Sequence, residues 1–199
     1  MFDYEELNIT IAENITVGTY LLTVHASDND TGKNGEISYR ILSSEESSFF
    51  SIDQDNGNVF TAAEFDYESQ NSDITLSIVA EDNGSPPMND YSTIDITLHD
   101  INDNCPEFVG EYPDITIPLN TTNGTVITNI SATDSDTGEN GYVTLSIKVE
   151  GDDSKSIFEL DSDSGELTVS GYLQSGEYVI KVIASDNVEQ PCITEKAFS

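Results

Sequence analysis

Basic residues are scarce in this chain: only 6 of 199 residues are lysine or arginine, against 38 aspartates and glutamates. A protein that binds nucleic acid needs a basic face, and a formal net charge of −32 provides none. A nucleic-acid partner is therefore excluded. Long apolar runs are also missing, so no stretch of the sequence is suited to cross a membrane.

Histidines are few as well, and this argues against catalysis. Only His25 and His99 could serve as bases near neutral pH. Each follows or precedes an apolar residue that is predicted to point inward, so both histidines are expected to face solvent. No motif places either of them beside a serine or cysteine nucleophile. The sequence therefore predicts that the chain is not an enzyme.

Two explanations remain for so acidic a chain: disorder, or a need for bound cations. A disordered chain has few aromatic residues and no hydrophobic periodicity. This sequence contains 9 tyrosines and 8 phenylalanines, and its apolar residues alternate clearly with polar ones. We therefore predict an ordered protein whose carboxylates are partly neutralised by bound metal.

An internal repeat divides the chain into two homologous domains of about 100 residues each. The decapeptide that begins at Ala26 (ASDNDTGKNG) recurs from Ala132 as ATDSDTGENG. Further matches occur in the same order along the chain, at nearly the same offset. They pair Gly18-Thr19 with Gly124-Thr125, Ile52-Asp53-Gln54-Asp55-Asn56-Gly57 with Leu160-Asp161-Ser162-Asp163-Ser164-Gly165, and Ala80-Glu81-Asp82-Asn83 with Ala184-Ser185-Asp186-Asn187.

Within each domain the hydrophobic period is two, as in Leu22, Val24 and Ala26. Short alternating strands separated by Gly, Asn, Asp and Pro turns are typical of a β-sandwich. No helix of three turns is predicted. The strands predicted in the first domain are 6–12, 19–27, 36–42, 49–53, 57–62, 72–81 and 91–99. The second domain is expected to follow the same plan, with its last strand cut short at Ser199, which suggests a fragment or an incompletely covered strand.

Two carboxylates stand two residues apart in Asp28-Asn29-Asp30 and again in Asp134-Ser135-Asp136. Several hard, charged oxygen ligands are what calcium takes. An EF-hand is excluded, because its loop needs glycine at the sixth position and glutamate at the twelfth, and neither segment has them. The segment that starts at Asp53 is interpreted as a hairpin turn.

The domain boundary carries the most specific pattern. Asp100-Ile101-Asn102-Asp103-Asn104-Cys105-Pro106-Glu107-Phe108 resembles the linker motif of cadherins, Asp-x-Asn-Asp-Asn-x-Pro-x-Phe. Other cadherin motifs follow in the family's order, and the resemblance covers nearly the whole chain. They are Ala12-Glu13-Asn14, Asp66-Tyr67-Glu68, Asp134-Ser135-Asp136 and Ala184-Ser185-Asp186.

The resemblance implies an all-β fold of two tandem seven-stranded Greek-key β-sandwiches: a repeat at 1–99, a calcium-binding linker at 100–104 and a repeat at 105–199. It also implies about three Ca²⁺ ions at the linker. The residues implied as ligands are Glu13, Asp66, Glu68, Asp100, Ile101, Asn102, Asp103, Asn104, Asp134, Asp136, Asn140 and Asp186. A half site of Asp28, Asp30 and Asp82 would be completed only by a preceding repeat, and is expected to be empty or weakly occupied.

The sequence departs from the family pattern at the far end of the second domain. Leu119 stands where the first domain has Glu13, and the segment 170–177 contains no counterpart of Asp66-Tyr67-Glu68. Any linker that follows is therefore predicted to be poor in calcium. The chain also has no tryptophan, so the strand exchange that some cadherins anchor with tryptophan is not available to it; an atypical or protocadherin-like cadherin fits better.

Within this cadherin-like arrangement, Cys105 and Cys192 both fall at the top of the second domain and are expected to form a disulfide. Two free thiols or an intermolecular bond remain the alternatives. Dense sequons favour a secreted location. The candidate glycosylation sites are Asn8, Asn14, Asn29, Asn83, Asn120, Asn123 and Asn129.

The predicted function is calcium-dependent cell–cell adhesion or cell-surface recognition, in the ectodomain of a cell-surface protein that crosses the membrane once. The expected partners are another cadherin, identical or different, and adjacent repeats of the parent chain. A calcium-stiffened structural spacer remains an alternative. A calcium-dependent carbohydrate-binding module is a second one, but it needs exposed aromatic residues beside the ion.

Overall fold

The computed structural model describes residues 1–112, 114–149, 157–186 and 188–198. They form two compact units, Met1–Ile101 and Asn102–Ser199, which we call unit 1 and unit 2. The boundary between the units falls inside the segment 100–104 that the sequence predicts as a linker. Asn187, which belongs to one of the repeat matches, and Ser199, the predicted end of the second repeat, lie outside the described residues.

Unit 1 consists of two β-sheets, and the predicted all-β sandwich fold is confirmed. A four-stranded sheet has the order β1-β7-β6-β3, and a three-stranded sheet has the order β2-β5-β4. Two short 3₁₀ helices, Gly32–Gly35 and Glu46–Phe49, connect strands. The strands are β1 (Glu6–Ala12), β2 (Tyr20–Thr23), β3 (Ile37–Ile41), β4 (Phe50–Ile52), β5 (Asn58–Thr61), β6 (Asp73–Asp82) and β7 (Asn89–His99).

Alternation along the strands produces the core of unit 1. Leu76 and Ile78 on β6, with Ile94 and Ile96 on β7, are almost completely buried between the sheets. Burying each such side chain stabilises the fold by about 1.5–3 kcal/mol relative to exposure. The Tyr39 hydroxyl is buried too, and it accepts the backbone N–H of Ala26 at 3.0 Å, so its polar group is satisfied.

The first strand, β1, pairs with the last strand, β7, in parallel, from Glu6 opposite Thr93 to Ala12 opposite His99. The sequence pattern predicts both strands but not their pairing. Because parallel neighbours end at the same edge of a sheet, the residues after β1 and after β7 emerge side by side. The pairing continues beyond the strands, since the Glu13 backbone N–H donates to the His99 carbonyl at 3.2 Å.

Unit 2 has the same two-sheet plan, with the orders β11-β14-β15 and β12-β13-β9, and a small sheet β8-β10. Its buried side chains alternate along β14, at Ile180, Val182 and Ala184. The strands are β8 (Glu107–Phe108), β9 (Val126–Asn129), β10 (Ala132–Thr133), β11 (Thr144–Val149), β12 (Phe158–Leu160), β13 (Glu166–Val169), β14 (Ile180–Ser185) and β15 (Ile193–Phe198).

The expectation that unit 2 repeats every strand of unit 1 is wrong at one place. The segment 112–118 matches β1 by the repeat offset, but its described residues form no strand. In unit 1, β1 pairs with Thr93–His99 of β7. In unit 2, the described strand β15 pairs with β14 only, so the described residues of this segment have no pairing like that of β1.

The turn between β4 and β5 requires glycine at position 57. Gly57 has a φ of +72°, and a Cβ there would collide with the Val24 carbonyl oxygen. We expect Gly57→Ala to lower the free energy of unfolding of unit 1 by about 2–4 kcal/mol in urea titrations. Gly18→Ala is the matched control, because Gly18 has a φ of +85° and no atom within 4 Å of its Cβ position. It should cost only about 1–2 kcal/mol; equal costs would contradict the collision.

Candidate metal-binding site

Three carboxylates of unit 1 come together where β1 ends. One oxygen each of Glu13, Asp66 and Glu68 lies within 4.8 Å of the others. Glu13 is only 3% exposed, and it accepts the backbone N–H of Tyr67 at 2.6 Å and of Ile101 at 2.8 Å. Three negative charges this close repel one another. A cation held among them would remove that repulsion, and carboxylate oxygens are the ligands calcium prefers.

The parallel pairing of β1 and β7 explains why these residues meet. Glu13 follows β1 directly, and Asp100 and Ile101 follow β7 directly. Asp100 is buried at the end of its strand. The Glu13 carboxylate therefore braces the chain as it leaves unit 1, through its hydrogen bond to Ile101. The structure thus brings the predicted ligands Glu13, Asp66 and Glu68 together, with Ile101 attached to them.

In unit 2, Asn104 and the Asp134-Ser135-Asp136 motif are in contact. The buried Asp136 carboxylate accepts the Asn104 side-chain amide at 2.7 Å and its backbone N–H at 3.3 Å. The Asp136 backbone N–H donates to Oδ1 of Asp134 at 3.0 Å. Asn104 also donates to Oδ1 of Asp103 at 2.9 Å. Four predicted ligands of unit 2 are therefore linked by direct hydrogen bonds.

A disulfide attaches a further predicted ligand to this group. Cys105 and Cys192 are bonded, with their Cα atoms 5.2 Å apart. The backbone N–H of Cys192 donates to Oδ2 of Asp186 at 2.9 Å, and Asp186 is only 2% exposed. Cys105 is the neighbour of Asn104 in the chain. The disulfide therefore links Asn104 to Cys192, whose backbone N–H binds Asp186. Nothing in the sequence pattern predicts the hydrogen bond of Cys192, because it is made by the backbone.

Three buried side-chain oxygens of unit 2 have no hydrogen-bond partner in the described structure: Oδ1 of Asn102, Oδ2 of Asp134 and Oδ1 of Asp186. A buried polar atom without a partner costs about 1–3 kcal/mol, and more when it is charged. All three belong to residues predicted as ligands, and each has its other polar atom engaged: Asn102 with the Gln190 carbonyl, Asp134 with Asp136, and Asp186 with Cys192. Oxygens left over in this way fit a bound cation.

The carboxylates of unit 2 are less compact than the triad of unit 1. Among the described residues, Asp134, Asp136 and Asp186 do not form a group with all ligand atoms within 4.8 Å, as Glu13, Asp66 and Glu68 do. Oxygens on opposite sides of one calcium ion, each about 2.3–2.6 Å from it, lie about 5 Å apart, so the wider spacing remains compatible with a shared ion. Asn140, the remaining predicted ligand, is half-buried.

The half-site residues Asp28 and Asp82 of unit 1 accept hydrogen bonds from backbone N–H groups of their own turns. Asp82 is buried, and its Oδ1 accepts the backbone N–H groups of Gly84 at 2.9 Å and Met88 at 3.0 Å. Asp28 is exposed and accepts the Asp30 backbone N–H at 2.8 Å. Within unit 1, which the structure describes throughout, Asp28, Asp30 and Asp82 do not meet as a compact triad.

The segment that starts at Asp53, which the sequence assigns to a hairpin turn, forms the turn between β4 and β5. Oδ1 of Asp53 accepts the Asp55 and Asn56 backbone N–H groups, and Asp161 does the same in unit 2. The Ser164 backbone N–H, then the Ser164 hydroxyl and the Asp163 backbone N–H, hold the pKa of the Asp161 carboxyl below its ordinary value. This carboxylate therefore stabilises its turn above the ordinary pKa of aspartate, and the contribution is lost as the pH falls through the lowered pKa.

At the far end of unit 2, uncharged side chains occupy the positions that correspond to the unit 1 triad. Leu119, the counterpart of Glu13, is 61% exposed. Tyr172, in the segment that corresponds to Asp66-Tyr67-Glu68, is almost fully exposed. A cavity of about 380 Å³ beside Leu119 is lined mainly by apolar side chains, although Asp114 and Glu177 also line it. Among the described residues, no compact acidic triad like that of unit 1 occurs at this end.

The remaining predicted residues lie on the surface. His25 and His99 are exposed, as expected. All seven asparagines of the sequons are exposed as well: Asn8, Asn14, Asn29, Asn83, Asn120, Asn123 and Asn129. Within the residues that the structure describes, no helix has the length and hydropathy required to cross a membrane.

Comparison with known proteins finds sequences similar to both units. Residues 7–99 and 113–197 match the family model described as cadherin domain. Human Protocadherin Fat 1 is 35% identical over 195 residues, which cover 96% of this chain and 4% of that protein.

Solved structures are similar over the whole chain. A crystal structure of mouse Cadherin-23 EC22-24 has a TM-score of 0.87 at 29% identity and covers 100% of this chain and 62% of that one. The structure titled Protocadherin gammaB7 EC3-6 cis-dimer has a TM-score of 0.85 at 27% identity, covering 100% of this chain and 49% of that one.

Proposed function

The chain belongs to the cadherin family, and from this premise we propose that it acts in calcium-dependent adhesion or recognition at the cell surface. Its two repeats are adhesion-type extracellular domains, and the chain is not an enzyme. The calcium requirement and the adhesive role are the proposal. The repeats would belong to the ectodomain of a protein that crosses the membrane once, with the exposed sequons as glycan sites.

One observation carries the calcium proposal: buried oxygens without partners occur on the residues of the cadherin linker pattern, at Asn102, Asp134 and Asp186. About three ions would be held at the linker by Glu13, Asp66, Glu68, Asp100, Ile101, Asn102, Asp103, Asn104, Asp134, Asp136, Asn140 and Asp186. Calcium would supply positive charge to these oxygens and bind only the folded arrangement, so it would stabilise the protein.

The two ligand groups are joined by the short segment 100–104, which leaves unit 1 beside Glu13 and enters unit 2 beside Asp136. Ions that took ligands from both groups would oppose bending of this segment. Without calcium, the same carboxylates would repel each other and favour bent arrangements. Calcium would therefore turn a flexible pair of repeats into a stiff one that presents its surfaces in a fixed orientation.

Beads coated with the protein test both parts of the proposal. We expect aggregation in about 1 mM calcium, a concentration at which extracellular calcium modules are occupied, and none in chelator. Asp134→Ala should abolish the aggregation and the change in small-angle scattering that calcium produces. Asp53→Ala, in a hairpin turn, is the matched control and should retain both. Scattering curves and melting temperatures that are identical with and without calcium would refute the calcium site.

A calcium-stiffened spacer is the second candidate, because the chain spans only 4% of the length of human Protocadherin Fat 1. Repeats that form so small a share of a long protein can act as spacers without a binding face of their own. For a spacer, calcium changes the scattering curve, but beads remain dispersed with and without calcium. The bead and scattering measurements therefore separate adhesion from spacing.

A further inference from the structure

The three-stranded sheet of unit 1 is free of charge. No Asp, Glu, Lys, Arg or His occurs in β2 (YLLT), β4 (FSI) or β5 (NVFT), although the chain contains 38 acidic residues. The other sheet of the same unit has acids in β1, β6 and β7. The corresponding sheet of unit 2 contains Glu159 and Glu166. This sheet therefore differs from the other sheet of unit 1 and from the matching sheet of unit 2 in having no charged residue, although the chain has a net charge of −32.

The outer face of this sheet presents aromatic side chains. Tyr20 is 52% exposed, and its ring lies edge-on to Phe60, with centroids 5.8 Å apart. Ser51 is the cross-strand partner of Phe60 and is exposed. The neighbouring residues Val59 and Phe50 are buried and form part of the core. The outer face of these strands, which we call the aromatic face, thus contains Tyr20, Ser51 and Phe60.

The polar groups beside the aromatic face are already paired with one another. The Tyr20 hydroxyl lies 2.9 Å from the hydroxyl of Thr23, which donates to Oδ1 of Asn58 at 2.5 Å. A partner that covers this face would not have to satisfy these groups, so covering them costs little desolvation. Tyrosine and phenylalanine have few rotatable bonds and lose little entropy when they are buried in a contact.

No candidate glycan is attached to a strand of the aromatic face. In unit 1, which is described throughout, the sequon asparagines Asn8, Asn14, Asn29 and Asn83 all lie outside β2, β4 and β5. In unit 2, by contrast, the sequon asparagine Asn129 lies on β9 itself. Unit 2 also has valine and threonine at the repeat positions of Tyr20 and Phe60. The aromatic, sequon-free face is therefore a property of unit 1 and not of the repeat.

We propose that the aromatic face of unit 1 binds the aromatic face of a second copy of this chain. The proposal deepens the adhesive function proposed above and rests on it. Electrostatics selects the occupant: a strongly basic partner would gain more on the acidic surfaces, whereas a second copy carries the same −32 charge and is repelled from them. Two uncharged faces place no carboxylates directly against each other, so they are where a second copy meets the least repulsion. A contact of one patch with itself is the geometry of a two-fold symmetric dimer.

The expected contact is weak. An aromatic side chain buries about 150–250 Å². Tyr20 and Phe60 on each of two copies make four such side chains, which together bury at most about 1,000 Å². Stable interfaces bury about 1,200–2,000 Å². A weak contact is sufficient for adhesion between two surfaces that each present many copies of the protein. Once one contact has formed, the next copies are held close together, and this high effective concentration favours further contacts.

Sedimentation equilibrium in calcium-containing buffer tests the proposal, at protein concentrations of about 10–500 µM, the range suited to a weak dimer. Wild-type protein should show a monomer–dimer equilibrium. Tyr20→Ser should weaken dimerisation at least about tenfold through lost apolar burial. Ser51→Asp, at an exposed position, should also weaken dimerisation, because it places a carboxylate on each of the two faces and the two charges repel. Tyr91→Ser is the matched control, because Tyr91 is exposed on β7 of the charged sheet; it should leave the dissociation constant unchanged.

Melting curves of the same samples, with calcium and with chelator, separate this proposal from the calcium proposal. A wild-type protein that is stabilised by calcium but stays monomeric at every concentration overturns the dimer alone. So does a dimer that Tyr20→Ser and Ser51→Asp do not weaken, or that Tyr91→Ser weakens equally. A dimer that responds to Tyr20→Ser while calcium leaves the melting temperature unchanged supports the aromatic face and refutes the calcium site.

Discussion

The substitution Asp186→Asn is expected to have opposite effects with and without calcium. In about 10 mM calcium, a site with a dissociation constant of about 0.1–1 mM contributes about 1.4–2.7 kcal/mol to the stability of unit 2. Asparagine provides a neutral ligand oxygen in place of a carboxylate, so most of this contribution should be lost. In chelator, the buried charge of Asp186, with its unpartnered Oδ1, is a cost that asparagine removes.

The variant should therefore melt below wild type in calcium, and at or above wild type in chelator, as measured by scanning calorimetry. Asparagine can still accept the Cys192 backbone N–H, so the hydrogen bond that positions this residue is preserved. Asp163→Asn is the matched control: Asp163 is exposed in a hairpin turn of the same unit, and its effect should not depend on calcium. A variant that is destabilised equally in both buffers would show that Asp186 serves the fold and not an ion.

Much of the fold could be predicted from sequence because a strand imposes a period of two on its apolar residues. The seven strands of unit 1 lie where the alternation places them, with β1 at the predicted 6–12. The predicted β2, 19–27, is longer than the observed Tyr20–Thr23, and its pairing with β5 contains a register shift after Tyr20. The alternating pattern shows which face of a sheet a residue lies on, but it contains no information about the hydrogen bonds between strands. Strand ends and bulges therefore cannot be predicted from it.

Pairing between distant strands could not be predicted in the same way. The parallel contact of β1 with β7 depends on both strands at once, and it positions Glu13 beside Ile101. The absence of a strand among the described residues of 112–118 could not be read from alternation either, because a strand there needs a partner that is distant in sequence. Local composition contains no signal for such a partner.

The candidate site shows the same division. Motif spacing identifies the acids, but the groups that hold them are backbone N–H groups of Tyr67, Ile101 and Cys192. Every residue type offers a backbone N–H, so sequence cannot single these out. The orphaned oxygens of Asn102, Asp134 and Asp186 are likewise visible only in the folded chain, and they separate a ligand from a solvated acid. Whether they bind calcium is what the Asp186→Asn comparison decides.

Removal of the disulfide should have the largest effect on stability. The bond closes a loop with a sequence separation of 87, and loop-closure entropy for such a loop corresponds to about 4–5 kcal/mol. We expect Cys105→Ser with Cys192→Ser to lower the melting temperature of unit 2 by at least about 10 °C. The bond also holds the chain next to Asn104 and the N–H that binds Asp186, so the double variant should bind calcium more weakly, by titration with the ion.

Unit 1 contains no cysteine and serves as the internal control, because its unfolding in calorimetry or in urea should be unchanged by the double variant. The two effects on unit 2 have different origins, and comparing calcium with chelator separates them. Loss of loop-closure entropy acts on the unfolded chain and is present in chelator. Loss of the support for Asn104 and Asp186 acts on the folded site and appears only with calcium. A double variant whose unit 2 melts within about 2 °C of wild type in both buffers would contradict both roles of the bond.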